Sequence, residues 1–443
     1  MSLWLGFIIT SDNQHPRHFV YEHFIRRIFV LVEKSLAVIM PGIFWKKFCN
    51  MKSIVFSVIY TSTKKMILPF CLLSSLICMG QDIKIPMEPS SWEYDSSKVE
   101  FTKYKSVNVI KGKNGAYYQV FLKNQVFTNG TIEFDVELTG MGFPGINFRM
   151  SEDRKNGENF YIRSFGPVSP AVRTTLQYAA IIDGMSIWDL SDEYQSGANI
   201  YQSGWNHVKL VVSGKQMKAY VNDMSKPALV IPQLEGWRES GSISLSGNVI
   251  YANLVIKPGV TEGLSTEGAY TAAYNDTRYI KNWEVSAPKD FPFGKEPIIP
   301  LPSMHGKLTQ SDLPDSATQW TPIQAENRGL VNLTRKYGSR ENDERRLAWL
   351  RTTIYSDKVQ EKILSFGFSD EVWLFINGKI LYVDKNYFGT PQQKSDGRCT
   401  IENAQIKLPL KEGKNEIMIG LANYFYGWGL IARLDKMDGL KVD

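Results

Sequence analysis

The chain has 443 residues, of which 22% are charged and 43% hydrophobic, with 34 glycines and 20 prolines. This composition excludes collagen-like and intrinsically disordered proteins and predicts about two to three domains. The net charge is +6, but the first 80 residues hold nine Lys/Arg and three Asp/Glu, so the other 363 residues carry 42 charges of each sign. The main body therefore has no general electrostatic affinity for nucleic acid or an anionic membrane.

Cysteine and histidine limit the chemistry that the main body can support. Only Cys399 lies after residue 80, which excludes an intrachain disulfide and a cysteine metal site there. Only His207 and His305 lie after residue 80, and two distant histidines do not make a zinc site. We therefore expect no metal, no cofactor and no Ser-His-Asp or Cys-His mechanism.

The first 80 residues are typical of a processing region. Lys64 and Lys65 precede an apolar run over residues 66–80, which is shorter than the roughly 20 residues that span a bilayer. A basic segment, a short apolar segment and small residues near the cleavage point describe a secretory signal. We predict cleavage after Gly80 and a product that is secreted, periplasmic or on the cell surface. Two alternatives stay open: a start at Met51 or Met66, and a membrane anchor at 28–45 or 54–80.

Residues 81–258 are predicted to form an all-β domain. The segment 131–138 alternates perfectly between apolar and polar residues, as in a strand with one buried face. Residues 207–212 and 217–221 flank a Gly-containing turn, which is a hairpin signature. Short strands at regular spacing, without amphipathic helices, favour a β-sandwich.

A second all-β domain is predicted at 323–443, after a Pro-rich linker at 259–322. Seven prolines fall between residues 288 and 322, and proline is excluded from central strands. The segment 341–351 fits either a short helix or a charged strand edge.

Two hairpins are predicted in this second domain. Asn377-Gly378 separates the apolar runs 372–376 and 380–383, and Asn-Gly between apolar runs is the strongest short hairpin signal. The other hairpin joins two further apolar runs, 406–410 and 416–421.

The block 127–257 resembles the concanavalin A-like lectin/glucanase superfamily, close to the laminin-G-like and family-16-glycoside-hydrolase-like domains of secreted bacterial proteins. The resemblance rests on these segments: 127–135, 145–149, 159–163, Gln177-Tyr178, Gly184, Trp188 and 204–210. It implies a jelly-roll sandwich, and it does not specify an activity.

The block 323–436 resembles a galactose-binding-like jelly roll, as found in accessory sugar-binding domains of glycosidases. The match rests on residues 369–379 and 408–415. Ser369-Asp370 lies where protective-antigen-like relatives have an Asp-Asp pair that binds calcium and sugar. Because the first position is Ser, a structural calcium is possible in principle but unsupported.

Three carboxylates lie on one face of the strand at 131–138. Glu133 and Glu137 are about 13 Å apart along a strand that rises ~3.3 Å per residue. The family-16 β-glucanases have a Glu-x-Asp-x-Glu strand of this type, so the alternative catalytic set is Glu133, Asp135 and Glu137. In those enzymes the catalytic strand comes later in the chain. We therefore favour a solvated sheet face whose acids pair with cations across strands.

The preferred ligand-binding residues lie on the strands that should line the concave face. An aromatic platform with planar hydrogen-bonding groups suits a sugar, whose apolar ring face stacks on the aromatic. The residues proposed for this site are Arg149, Tyr161, Arg163, Gln177 and Trp188. The alternative is that the two aromatics belong to the core and that Glu158, Asp183 or Asp189 pairs with the arginines.

The segment 423–429 of the second domain packs four aromatic residues into a Gly-containing turn. Exposed, Tyr426 and Trp428 form a second stacking surface for glycans. Buried, the same residues plug one end of the sandwich.

These observations predict an exported bacterial protein of two β-sandwiches that binds poly- or oligosaccharide and has no recognisable catalytic site. One alternative is a glycoside hydrolase of the β-glucanase type that uses Glu133 and Glu137. Another is an adhesion or protein-interaction module. The expected partner is carbohydrate, without nucleic acid and without membrane beyond the export signal.

Overall fold

The computed structural model describes residues 81–166, 168–295, 308–339 and 344–442, and the predicted signal region at 1–80 lies outside them. The described chain is almost entirely β. Its strands are β1 (Ile83–Lys84), β2 (Trp92–Tyr94), β3 (Val99–Tyr104), β4 (Val107–Gly112), β5 (Tyr118–Leu122), β6 (Gly130–Leu138), β7 (Gly145–Met150), β8 (Gly157–Ile162), β9 (Leu176–Ile182), β10 (Met185–Ser186), β11 (Gln195–Ser196), β12 (Asn206–Ser213), β13 (Gln216–Val221), β14 (Leu229–Ile231), β15 (Ser242–Gly247), β16 (Val249–Pro258), β17 (Asn282–Ser286), β18 (Lys289–Asp290), β19 (Trp320–Gln324), β20 (Leu330–Asn332), β21 (Arg346–Ser356), β22 (Gln360–Ser369), β23 (Glu371–Ile376), β24 (Lys379–Lys385), β25 (Ala404–Leu410), β26 (Gly413–Ala422), β27 (Gly429–Leu434) and β28 (Leu440–Val442). One short α-helix, α1 (Leu333–Tyr337), and six 3₁₀ turns complete the elements of the described residues.

The first sandwich consists of two antiparallel sheets of eight strands. Sheet 1 has the order β14-β13-β12-β6-β16-β4-β3, with β1 also on β16. Sheet 2 has the order β10-β9-β8-β7-β15-β5-β2, with β11 also on β9. The apolar face predicted for 131–138 is buried, because Ile132, Phe134 and Val136 pack in the core with residues of sheet 2 such as Ile146 and Phe160.

The second sandwich also consists of two antiparallel sheets. Sheet 3 has the order β19-β17-β21-β26-β23-β24, and β18 and β28 also pair with β21. Sheet 4 has the order β20-β27-β22-β25. The Asn-Gly hairpin is confirmed: β23 pairs with β24, and both Asn377 and Gly378 have the positive φ that a two-residue turn of this kind requires. The all-β sandwich class predicted from the sequence is therefore confirmed.

The second predicted hairpin is wrong. Strands are present on both sides of the turn at 411–412, but β25 pairs with β22 in sheet 4 and β26 pairs with β21 and β23 in sheet 3. The turn is thus a corner between the two sheets. Asn415 holds it, since its side-chain amide accepts from the N–H of Lys411 at 2.9 Å and donates to the carbonyl of Lys411 at 2.8 Å.

Part of the predicted linker at 259–322 lies in sheet 3. Strands β17 and β18 and the first residues of β19 fall within it. Pro322 is compatible with a strand here because β19 lies at the edge of the sheet. The domain boundaries themselves stay predictions.

Candidate functional site

The two sandwiches meet at a buried apolar seam. The seam is formed by residues of both sandwiches: Ala180, Ile182, Ile187, Leu190, Leu330, Cys399 and Ile431. Next to it, the carboxyl of Asp189 accepts hydrogen bonds from the N–H of Gly427 at 3.0 Å and from the hydroxyl of Ser369 at 3.2 Å. A Cβ on Gly427 would lie 2.7 Å from Asp189 Oδ1. Glycine is therefore needed for this loop of the second sandwich to approach the first.

The loop that contains Tyr426 is fixed by two buried acids. Asp370 accepts from the N–H groups of Tyr424 and Phe425 at 2.5 and 2.7 Å. Burial, and after it the charge of Asp370, raises the pKa of Asp189 to about 8. The Asp189 carboxyl is thus protonated at neutral pH and carries no charge into the junction.

A polar floor is built by neighbouring strands of sheet 2. Tyr161 on β8 and Gln177 on β9 are cross-strand partners, and the Tyr161 hydroxyl donates to Gln177 Oε1 at 2.8 Å. Arg163 Nη2 donates to the same Oε1 at 2.8 Å and lies 3.2 Å from the Tyr161 oxygen. Gln177 Nε2 donates to the Trp188 carbonyl at 2.8 Å. Four of the five predicted site residues are therefore in one hydrogen-bonded group.

Aromatic side chains from both sandwiches surround this floor. The Trp188 ring lies 5.3 Å from the ring of Phe388 and 5.7 Å from that of Tyr426. On the other side, Phe143 packs 5.7 Å from Tyr161 and 4.9 Å from Phe165. Trp188 and Tyr161 are buried, whereas the other four rings are 38–48% exposed. These exposed rings, here called the aromatic rim, thus lie beside buried hydrogen-bonding groups.

Two arginines, one from each sandwich, complete the arrangement. Arg163 lies 5.0 Å from the ring centre of Phe143 and 5.7 Å from that of Trp188. Arg398 lies 5.0 Å from the Trp188 ring centre. We name the whole cluster the junction site: Phe143, Tyr161, Arg163, Phe165, Gln177, Trp188, Gln195, Phe388, Arg398, Phe425 and Tyr426.

Arg149, predicted to belong to the same surface, lies elsewhere. It has a positive φ of 54°, and the register between β7 and β15 shifts beside it. Its guanidinium is therefore directed to the carbonyls of Thr128 and Gly214 at 2.7–2.9 Å. With its donors bound to backbone and only 3% of its surface exposed, Arg149 is a structural residue, and its assignment to the sugar surface is corrected.

The prediction that Trp428 belongs to a stacking surface for glycans is also corrected. It is buried in the core of the second sandwich, where its ring lies 6.2 Å from that of Tyr337 and 5.2 Å from the Arg346 guanidinium. The aromatic turn thus contributes to both places: Tyr426 lies at the junction site, whereas Trp428 is buried in the core.

The three carboxylates of β6 lie on the face of sheet 1 opposite the core. Each has a partner: Glu133 binds Lys257 at 2.9 Å, Asp135 binds His207 at 2.7 Å, and Glu137 binds Lys105 at 2.7 Å. The Asp135 carboxylate raises the pKa of His207. Lys257 and His207 lie on the neighbouring strands β16 and β12, whereas Lys105 lies in the turn between β3 and β4.

A cleft of about 470 Å³ lies beside Arg149. Most of its lining residues are polar, and it also contains a leucine, two glycines and a tryptophan: Thr128, Asn129, Arg149, Gly214, Lys215, Leu234, Gly236, Trp237, Arg238, Glu239, Thr266 and Glu267. Trp237 is 56% exposed, and the Arg335 guanidinium lies 5.1 Å from its ring centre. No sequence pattern marks this tryptophan, because it lies in a loop without strand periodicity.

Other members of the junction site were missed as well. Phe388 and Arg398 lie in the loop between β24 and β25, more than 180 residues after the floor to which they contribute. No local pattern links them to Trp188. Their only sequence signal is an aromatic and a basic residue in a long loop at one end of a predicted sandwich, where ligand-contacting loops are common.

No group of three or more His, Cys, Asp or Glu side chains capable of holding a metal occurs in the described part of the chain. Ser369 and Asp370 instead take part in the hydrogen bonds of the junction. Within the same ranges, no helix has the length and apolar character needed to cross a bilayer.

No family model and no curated protein matches the chain. Similar solved structures include the carbohydrate-binding module CBM66 from Bacillus subtilis, with 17% identity over 37% of this chain and 93% of that chain (TM-score 0.28). A Bacillus subtilis protein of unknown function with a galectin-like fold has 10% identity over 40% of this chain and 96% of that chain (TM-score 0.30). Domain 4 of AbnA, a GH43 extracellular arabinanase from Geobacillus stearothermophilus solved with arabinotriose, has 11% identity over 41% and 84% (TM-score 0.26). All three TM-scores lie below 0.5, and these similarities assign neither a ligand nor a reaction to this chain.

Proposed function

We propose that this protein is an exported carbohydrate-binding protein and that poly- or oligosaccharide binds at the junction site. The observation that carries the proposal is the exposed aromatic rim, supplied by both sandwiches, around buried Tyr, Gln and Arg side chains. Aromatic faces stack on the apolar face of a sugar ring. Arginine and amide groups hydrogen-bond its hydroxyls. Because the rim comes from both sandwiches, the bound saccharide contacts both.

The proposal includes the finer assignment of the two sandwiches. The first is assigned to the concanavalin A-like superfamily and the second to galactose-binding-like jelly rolls, on the sequence segments given above. Export rests on the basic and apolar segments that precede Gly80. Its destination is the periplasm, the cell surface or the medium.

Binding without hydrolysis is the form of the proposal that the contacts favour. A glycosidase needs two carboxyl groups on either side of a glycosidic bond. Glu133 and Glu137 are each held by a lysine instead, on a sheet other than the one that builds the polar floor. These contacts favour binding over the β-glucanase alternative, which is supported by the Glu-x-Asp-x-Glu pattern of β6.

A glycan array followed by calorimetric titration tests the proposal. Tyr426→Ala removes an exposed ring that packs on Trp188, and we expect it to weaken binding of the best array ligand at least tenfold. The matched control is Tyr201→Ala, another exposed tyrosine in a loop, which should bind like wild type. Absence of any glycan ligand, or equal affinity of the Tyr426 variant and wild type, would refute the proposal. Capture of a protein instead would favour the adhesion alternative.

A further inference from the structure

Two guanidinium groups converge on one neutral atom in the junction site. Arg163 Nη2 lies 2.8 Å and Arg398 Nη2 lies 3.4 Å from Gln177 Oε1. A side-chain amide atom of Gln195 lies 3.0 Å from the same oxygen and 3.0 Å from Arg398 Nε. Two cations from different sandwiches are thus held together by amides, without a carboxylate between them.

The charge of this pair is only partly balanced. Among the described residues, no carboxylate lies within 4.0 Å of the Arg163 guanidinium, and its buried Nε has no hydrogen-bond partner. Arg398 has two acids within 4.0 Å, Asp192 at 3.9 Å and the exposed Asp396 at 3.6 Å. Asp192 is also bound by another arginine at 3.1 Å.

Asp189, which lies beside the junction site, does not supply the missing charge. Asp189 is protonated at neutral pH, because burial and Asp370 raise its pKa to about 8. The proximity of the cations is unfavourable in itself, since burial and then the charge of Arg163 lower the pKa of Arg398. A single arginine suits the hydroxyls of a neutral sugar, but two guanidinium groups on one amide oxygen, with this little negative charge beside Arg163, favour an anionic ligand group.

We propose that the saccharide bound at the junction site is acidic, and that Arg163 and Arg398 bind its anionic group. This inference rests on the proposed function and names the class of ligand. Arginine forks bind the oxygens of a carboxylate or a sulfate through paired hydrogen bonds. The sugar ring then stacks on the exposed Tyr426 and Phe388 rings, while its anionic substituent points to the floor. A uronic acid and a sulfate ester share this chemistry.

The test uses acidic polysaccharides paired with their own neutral forms. Polygalacturonate, alginate and hyaluronan are each compared with the carboxyl-reduced polymer, and heparin and a sulfated galactan with the desulfated polymer. We expect wild type to bind at least one acidic polymer tenfold or more tightly than its neutral form. Preference in a carboxyl-reduced pair identifies a uronate, and preference in a desulfated pair identifies a sulfate.

Arg163→Gln and Arg398→Gln should each remove this preference, so that the acidic and neutral forms bind within threefold of each other. Arg154→Gln, an exposed arginine of the first sandwich paired with Glu93, is the matched control and should keep it. Equal wild-type binding to acidic and neutral forms overturns this inference but leaves the proposed function in place. Binding to no polysaccharide of either kind overturns both. The wild-type comparison needs no variant, so an arginine variant that fails to fold does not obscure the result.

Discussion

Replacing Asp189 tests the contact that holds the junction site together. Its carboxyl is buried, and it accepts from the Gly427 N–H and the Ser369 hydroxyl of the other sandwich. Asp189→Ala leaves these two groups without their partner, and each unsatisfied buried group costs about 1–3 kcal/mol. Asp189→Asn keeps an oxygen acceptor and resembles the protonated acid in shape and charge. We expect Asp189→Ala to lower the free energy of unfolding by about 2–6 kcal/mol at pH 7. We expect Asp189→Asn to have a free energy of unfolding equal to that of wild type or higher.

The pH dependence of unfolding makes this prediction quantitative. The ordinary pKa of an aspartate is 3.8, and that of Asp189 in the folded protein is about 8. Between these values the folded state holds one proton more than the unfolded state, so the free energy of unfolding falls as pH rises. The slope is about 1.4 kcal/mol per pH unit, which gives about 3 kcal/mol between pH 5 and pH 7. Asp189→Asn removes this contribution.

Urea unfolding followed by tryptophan fluorescence at pH 5, 6 and 7 measures both effects. We expect the wild-type free energy of unfolding to fall relative to that of Asp189→Asn by about 3 kcal/mol over this range. Parallel pH profiles for the two proteins would show that the Asp189 carboxyl is ionised at pH 7. An ionised Asp189 would supply negative charge near Arg163 and Arg398, and that result would refute our inference that the charge of these arginines is only partly balanced.

Further predictions concern the core, the outer carboxylates and the processing region. Tyr178→Phe should lower the free energy of unfolding by about 2–6 kcal/mol, because the Tyr178 hydroxyl donates to buried Glu158 at 2.5 Å and accepts from the Glu235 N–H at 2.6 Å. A decrease below about 1 kcal/mol in urea unfolding would contradict this. Glu133→Gln should change stability by less than about 1 kcal/mol and leave glycan affinity unchanged, because it breaks only a partly exposed ion pair; measurable polysaccharide hydrolysis that this change abolishes would instead establish an enzyme. N-terminal sequencing of exported protein should find Gln81 first, and a product that begins before residue 50 would exclude the predicted cleavage.

Local patterns predicted the strands, because each depends on neighbouring residues. The alternation in 131–138 fixes which face of β6 is buried, and Asn377-Gly378 fixes a two-residue turn. The segment 404–422 shows the limit of such patterns. Its two strands and their turn resemble a hairpin, but whether a turn returns to the same sheet or crosses to the other depends on partners elsewhere in the chain.

The site was predictable only in part for the same reason. Tyr161 and Gln177 were predicted for one site because their segments were expected to line the concave face, and the structure pairs them across neighbouring strands. Trp188 acquires its role from loops of the second sandwich, which no periodicity connects to it. Tyr426 and Trp428 are two residues apart in one aromatic turn, yet the first is 38% and the second 1% exposed. A left-handed backbone at Tyr426, with φ of 54°, turns the chain between them.

A crystal structure with the tightest-binding oligosaccharide from the glycan array would show directly whether both sandwiches hold the ligand. We expect a sugar at the junction site in contact with Tyr426 of the second sandwich and with Trp188 or Arg163 of the first. An oligosaccharide bound in the cleft of Trp237, or held by one sandwich alone, would contradict it.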